Sequence, residues 1–290
     1  MSKDHQKLAS ASSSGQVTVW ETKTGAHTQL FGANSADAKG DNISDDIDDE
    51  TGGRVENIMS LAFRNSFQLA CGGWGTIRIF NTYDGTIAQE NYEADESVEL
   101  MEFSTDGQWL AYKICSGRDR HYSLRCWNTA TGKRFSLSVP DPSVMDILSL
   151  SFSMDGQMLV STSWGKFIYL WDVKTGHCIR QLEIHGASGI QASFDAGIER
   201  RLNTQFGSLT IEDPGSGCLG PDNLNAKICG YGFSFEPDWL VLDGRRLLWI
   251  PPDYRTTIYS RQLTPIINES AIIWISRTGR LVRLYFPPRH

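Results

Sequence analysis

Two stretches of the chain repeat each other almost residue for residue. Residues 103–111 read FSTDGQWLA and residues 152–160 read FSMDGQMLV. In each, an aromatic ends one apolar run, a polar turn with Asp-Gly follows, and a second apolar run begins, which is the pattern of a short antiparallel hairpin. Residues 1–9, MSKDHQKLA, fit the same frame. Phe103, Phe152 and Met1 share one position, and Leu110, Leu159 and Leu8 share another, always seven residues apart. A repeat at this scale means that each unit buries its apolar face only against a neighbouring copy. By this frame the first repeat starts in its middle.

Downstream of each such turn comes an alternating strand that ends in an aromatic and then turns tightly: VTVWETKTG, TIRIFNTYDG, YSLRCWNTATG and FIYLWDVKTG. The four aromatics are Trp20, Phe80, Trp127 and Trp171, at spacings of 60, 47 and 44 residues. The excess over a period of about 40 is accounted for by an acidic insert in the first interval and a longer loop over Ser116–His121. Period-two alternation punctuated by Gly turns makes each unit a small antiparallel sheet, and no segment shows helical periodicity. The expected fold class is all-β.

These residues resemble the repeats of WD-repeat β-propellers. Trp171-Asp172 matches the signature dipeptide, and Trp127-Asn128 and Trp20-Glu21 are altered versions of it. The resemblance implies structural roles for Trp20, Phe80, Trp127, Trp171 and Asp172. It also implies about seven blades in a single domain over 1–290, near 8–31, 58–92, 98–139, 147–183, 190–213, 230–250 and 257–286, with the first and last incomplete. The tail DWLVLDGRRLLWIPPDYR, followed by AIIWISRTGRLVRLYF, makes 230–290 a divergent pair of blades. Through Trp239, the Leu247–Ile250 strand, Pro251-Pro252 and Tyr254-Arg255 it is similar to the end of the WD-repeat region of fungal NACHT/STAND proteins of the heterokaryon-incompatibility type. In that family the propeller follows a signalling domain and an NTPase, so the chain is expected to be the C-terminal part of a longer protein. Members normally bury a His–Ser/Thr–Asp–Trp hydrogen-bond tetrad in each blade. Here the Gly-His pair is reversed at His185-Gly186, Trp74-Gly75 and Trp164-Gly165 take the Asp position, and no blade keeps all four.

Of 290 residues, 40% are hydrophobic and 21% charged, enough apolar material for a packed core. The formal charge of -7 opposes general attraction to nucleic acid or an anionic membrane. Seven acids and two bases put -5 of it into residues 33–54, read as a mobile acidic insert, whereas eight Arg against Asp243, Asp253 and Glu269 give +5 over 240–290. The six cysteines have no CxxC spacing, and most lie in or beside apolar runs, so they are read as reduced. The first ten residues lack an apolar signal core and no run suits a membrane span, which points to the cytoplasm.

Catalytic motifs are weak. GSGCLG at 215–220 matches GxGxxG, but Pro221 follows at once and no βαβ unit surrounds it. GxxxxGK[ST] and GxSxG are absent, and His185 near Ser188 has no orienting acid. His121 lies between Cys115 and Cys126, yet Cys126 sits in a strand beside Trp127, where core packing is the better reading. The DDIDDE run at 45–50 lacks the Gly and the alternating ligands of a calcium loop. Thr131-Gly132-Lys133 partly resembles a quinoprotein dehydrogenase docking motif, but Asn128 and Ser136 replace its Asp and Trp. The expected reading is no enzyme, no cofactor and no metal.

What remains is a surface. The resemblance places Trp74, Trp164, Arg118, Arg120, His121 and the acidic residues Asp45, Asp46, Asp48 and Asp49 on one rim. Trp and Arg are the residue types that anchor protein interfaces, and an acidic loop steers basic partners. Trp74 and Trp164 have two readings, outward on the rim or inward in place of the lost tetrad. The expected partners are other proteins, with a STAND-type ligand sensor as the first reading. A WD-repeat adaptor of the mitochondrial-fission or ubiquitin-ligase kind is the second, and a quinoprotein-like dehydrogenase a remote third.

Overall fold

The computed structural model describes residues 1–12, 15–31, 58–116, 121–137, 147–164, 167–184, 189–195, 197–198, 200–211, 228–234, 238–256, 265–267 and 270–286. They cluster into two compact units, Met1–Phe103 with Gly107–Arg134, and Ser104–Asp106 with Phe135–His290. Among the described residues the regular structure is β-strand, apart from one short 3-10 turn at Pro252–Tyr254.

In the first unit, β1 (Lys7–Ala11), β2 (Gln16–Glu21) and β3 (His27–Phe31) form an antiparallel sheet in sequence order. A second sheet runs, again in order, through β4 (Ser60–Asn65), β5 (Gln68–Gly72), β6 (Trp74–Asn81), β7 (Ile87–Phe103), β8 (Trp109–Ser116) and β9 (Tyr122–Asn128). β7 is 17 residues long because its first half pairs with β6 and its second with β8, so one strand serves two hairpin sets. β10 (Arg134–Leu137) lies where the chain leaves this unit. The second unit holds β11 (Ile147–Phe152), β12 (Met158–Ser163), β13 (Phe167–Asp172) and β14 (Cys178–Glu183) in one sheet. β15 (Ala192–Phe194), β16 (Arg201–Thr204), β17 (Gly207–Thr210) and β18 (Ile228–Cys229) make the next. β19 (Tyr231–Phe233), β20 (Trp239–Leu242) and β21 (Arg245–Trp249) make a third, and β22 (Ile266–Ile267), β23 (Ala271–Ile275) and β24 (Leu281–Tyr285) a fourth.

The sequence repeat is a register. Leu8 stands opposite Trp20, Leu69 opposite Phe80, Leu110 opposite Trp127 and Leu159 opposite Trp171. Across the other edge, Phe103 faces Leu110 and Phe152 faces Leu159. Each leucine is thus the middle of a row on one sheet face, and a slip by one residue would turn the whole row to the other face. In the first unit that face packs against the preceding set of hairpin strands. Leu69, Cys71 and Phe80 meet Val17, Val19 and Leu30, and Leu110, Tyr112 and Trp127 meet Ala70, Ile77 and Ile79 from the opposite face of β5 and β6. In the second unit one apolar core runs from Val160 and Leu170 through Leu202 and Phe233 to Trp274. Leu159 and Trp171 are fully buried, whereas Leu8 is 46% exposed and Trp20 half-buried in the first sheet.

Two turns hold the register. In the first, the hydroxyls of Ser2, Ser104 and Ser153 each donate to Oδ1 of the aspartate two residues on, Asp4, Asp106 and Asp155, at 2.6 Å. The next residue has a left-handed backbone, Gly107 at φ 69° and Gly156 at φ 68°, but His5 at φ 60° in the first copy. The second turn explains the signature dipeptide. Asp172 Oδ1 accepts from the amides of Lys174 and Thr175, and Asn128 Oδ1 accepts from those of Ala130 and Thr131. The turn needs a short side-chain acceptor, not a charge, so Trp-Asn serves as well as Trp-Asp. Trp171 itself donates from Nε1 to Ser161 Oγ at 2.8 Å, a surviving fragment of the expected tetrad.

His5→Gly should raise the stability of the fold by about 0.5–1 kcal/mol. Relief of an L-residue's left-handed strain exceeds glycine's added unfolded-state entropy. Chemical denaturation checks this, and Gly107→Ala should move stability the other way. Glu102, half-buried on β7, is a second probe. Burial pushes its carboxyl up to about 7, and Lys3 opposes the shift. A folded-state value above the unfolded one means the unfolded chain releases this proton first. Stability therefore falls as pH rises from about 4.5 to about 7 and stays low above that. Glu102→Gln should remove this slope and leave the protein about 3 kcal/mol more stable at pH 8 than wild type, measured by urea melts across that range.

Candidate functional site

Trp74 lies five residues after Leu69, and Trp164 five after Leu159, so both occupy the same place just beyond the second strand of their hairpins. Both point to solvent, with 45% and 37% of their surface exposed. The inward reading is thereby set aside. Trp74 sits in a two-residue loop closed by a hydrogen bond from Gly73 N to Thr76 O, and Gly75 supplies the positive φ of 74° that the reversal requires. The tight turn fixes the backbone that carries this indole, so little backbone freedom is lost when a partner covers it.

Strand pairing extends the site within the first unit. Trp74 faces Ser97 on β7, Ser97 faces Cys115 on β8, and Cys115 faces Tyr122 on β9. Three strand spacings put Tyr122, and His121 beside it, roughly 14 Å from Trp74 along one sheet end. His121 is exposed, and its carbonyl accepts from Ser116 N at 3.0 Å. Trp164 belongs to the other unit. Arg118, Arg120, Asp45, Asp46, Asp48 and Asp49 lie outside the described residues, as do GSGCLG and the His185–Ser188 segment.

Behind this end the structure holds a charged network that the sequence reading missed. Glu93, buried on β7, accepts from Tyr112 Oη at 2.6 Å and from Asn91 Nδ2 at 2.8 Å, and it contacts the Arg125 guanidinium. Arg125 also pairs with Glu96 at 2.7 Å, and Arg134 bonds to the Asn91 side chain. Tyr112 holds the position that Ser161 holds in the later repeat, two residues after the row leucine. A serine there receives the tryptophan indole, whereas a tyrosine sends its hydroxyl across to a carboxylate. Burial, and then the adjacent Glu93, push the Tyr112 phenol far above its ordinary range, so it acts only as a donor. Arg78 with Glu90 and Lys113 with Glu99 at 2.6 Å continue the pairing along β7. The legible signal was glutamate at every third position of that strand, 90, 93, 96, 99 and 102, flanked by bases on the neighbouring strands.

Among the described residues no three His, Cys, Asp or Glu side chains converge as metal ligands. The described cysteines are free, and burial pushes the Cys126 thiol up to about 12 and the Cys178 thiol up to about 11, away from nucleophilic use. The Thr131-Gly132-Lys133 segment is a tight turn, with Gly132 at φ 76° and its amide bonded to Asn128 O. Among the described residues no helix is long and apolar enough to cross a membrane.

Comparison with known proteins agrees with the repeat. The family model of the WD domain, G-beta repeat, matches residues 140–172. The chain is 24% identical over 180 residues to the periodic tryptophan protein 2 homolog of Schizosaccharomyces pombe, covering 54% of this chain and 20% of that protein. It therefore spans about a fifth of the length of this curated relative. A chain from the crystal structure of a mitotic checkpoint complex superposes with a TM-score of 0.54 at 13% identity, covering 82% of this chain and 68% of that one. The WD repeat is matched over residues 140–172, and the fold class is the all-β WD-repeat β-propeller.

Glu93→Ala should cost about 3 kcal/mol, because it strands a buried tyrosine hydroxyl and deprives Arg125 of one of its two carboxylates. Tyr112→Phe should cost only about 1 kcal/mol, since Glu93 keeps its other donors. Thermal and urea unfolding of the two variants measure the difference.

Proposed function

We propose that this WD-repeat domain is a non-catalytic protein-interaction module of the cytoplasm, and that partners dock on the sheet ends that carry Trp74 and Trp164. The observation that supports it is the matched exposure of two tryptophans at equivalent hairpin tips. A protein core would bury such residues, and an interface uses them as anchors. Arg118, Arg120, His121 and the acidic insert complete the proposed rim, with the charges steering encounter and the indoles supplying most of the affinity.

The finer reading is the ligand-sensing end of a fungal STAND-type receptor whose NTPase lies elsewhere on a longer chain. The residues that carry that resemblance interlock in space. Trp239 pairs with Trp249, and Arg255 donates from Nε to Ile250 O at 3.1 Å. The same guanidinium pairs with Asp238 at 3.0 Å and lies over the Trp249 ring at 5.5 Å. A second reading, a scaffold within a larger assembly, is favoured by the likeness to a chain of the mitotic checkpoint complex. A P-loop domain upstream in the same reading frame separates the two.

Affinity capture from cytosolic extract, quantified by mass spectrometry, tests the docking surface. Trp74→Ala and Trp164→Ala should each lower recovery of a specific partner about tenfold while leaving the melting temperature unchanged, and Arg118→Glu with Arg120→Glu should slow association. Unchanged recovery with both tryptophans replaced would exclude these ends as the docking surface.

A further inference from the structure

A pocket of about 300 Å³ opens in the second unit between the β11–β12 turn and the β15–β16 turn, at the other end of β12 from Trp164. Met154, Met158, Phe194 and Ile198 make its apolar walls, and Asp155 and Asp195 stand among its lining residues. Its origin is readable in the repeat. Phe152 pairs with Leu159 across a turn of seven residues' separation, but Phe194 pairs with Leu202, eight apart, so the later turn is one residue longer. The serine that opens the earlier turn, Ser153, is also replaced by Asp195.

Between other successive turns the same crevice is filled from within. Ser66, three residues after Phe63, donates its hydroxyl to Asp4 Oδ2. Arg64 lies over Gly107 and donates from Nε to its carbonyl at 2.8 Å. Asp155 repeats the bonding of Asp4: its Oδ1 accepts from Ser153 Oγ at 2.6 Å and from Gln157 N at 3.0 Å. The residue three after Phe194, in the place of Ser66, is Gly197, which offers no side-chain donor. Asp155 lines the pocket, and its Oδ2 is the atom whose counterpart in Asp4 accepts from Ser66. The Ser153 hydroxyl and the Gln157 amide hold the Asp155 carboxyl below its usual range, so it is ionised at neutral pH. Hydrogen bonds from Asn203, Gly197 and Ile198 leave Asp195 lowered as well, despite its partial burial. Arg200 lines the site as well, and Arg201 pairs with Asp195 at 3.9 Å.

We propose that this pocket receives an extended segment of a protein partner, seating one bulky aliphatic side chain among Met154, Met158, Phe194 and Ile198 and placing a neighbouring lysine or arginine on Asp155 Oδ2. The volume is at the floor of the range for small-molecule sites, suited to a side-chain anchor more than to a cofactor. Methionine walls adapt to Leu, Ile or Met alike. An ionised acceptor with an open lone pair favours a cationic donor, whose bond is about twice as strong as a neutral one. The inference rests on the reading of the chain as a protein-binding module, but not on the tryptophan surface.

The probe is a dye-labelled octapeptide with a central Leu-Arg pair in a Gly/Ser context, followed by fluorescence polarisation against the intact chain. Saturable binding is expected, weakened about tenfold when Arg is replaced by Glu in the peptide. Asp155→Asn, which keeps the Oδ1 acceptor of the turn, should weaken it by a similar factor. Gly197→Ser, which adds a hydroxymethyl group to the pocket lining, should also weaken it. Gly197 has no positive φ, and a Cβ added there would meet only the Asp195 carboxylate, at 3.7 Å, so that variant should fold normally. Equal binding of the Glu peptide, or no saturable binding at all, overturns the proposal. So does self-association of the chain that Gly197→Ser abolishes, which would make a second copy the occupant. If partner capture still depends on Trp74 and Trp164 in that event, the module reading stands without the pocket.

Discussion

One row of side chains organises the central repeats of this fold: a leucine in the second strand of a hairpin, flanked by aromatics from the strands on either side. Leu110 between Phe103 and Trp127, and Leu159 between Phe152 and Trp171, are the fullest examples. The row lies on one face because strand side chains alternate, and it is kept there by turns that count residues. The Ser-x-Asp turn fixes the first pairing and the Asx turn after the aromatic fixes the second. Neither turn buries much surface. Their effect is to make the apolar face coincide with the preceding sheet, and burial of those side chains then supplies the stability, at roughly 1.5–3 kcal/mol for each large residue.

Where that row meets a polar requirement, the repeats solve it differently. The position two after the leucine lies on the same face as the aromatic and is Ser10, Cys71, Tyr112 and Ser161 in turn. Only Ser161 is small and polar beside a fully buried indole, and there the tetrad's Trp–Ser bond survives. Cys71 makes the site apolar, and Phe80 in the aromatic position brings no donor to satisfy. Tyr112 exports its hydroxyl to Glu93, and the burial of that carboxylate then calls for Arg125 and Asn91 around it. One substitution in the row thus accounts for a cluster of charges on three strands.

The hairpins, their register and the roles of Trp171, Asp172 and Asn128 were legible in the sequence because turns and alternation are local, and each repeat confirms the next. The exposure of Trp74 and Trp164 was open, since a hairpin tip can point either way and no periodicity extends into it. The Glu93 network was hidden for a different reason. Cross-strand neighbours are set by bulges, and β7 carries register shifts against both β6 and β8 that sequence counting cannot place. The 17-residue length of β7 was equally unreadable, because it joins two hairpin sets that the repeat frame treats as separate.

Sheets that spend both faces on packing leave their strand ends for display, and the two ends are not equivalent. One end carries the tips between the second and third strands, where nothing in the register dictates a side chain and tryptophan can be displayed freely. The other carries the counting turns, whose aspartates are already committed through one oxygen. A pocket opens beside the turn after Phe194, which is one residue longer than the turn after Phe152. Met154, Met158 and Asp155 line that pocket, and Asp155 is the counterpart of Asp4, whose second oxygen accepts from Ser66. The same local rule that makes the repeat regular therefore marks, by its one-residue breach, where this copy departs from pure architecture.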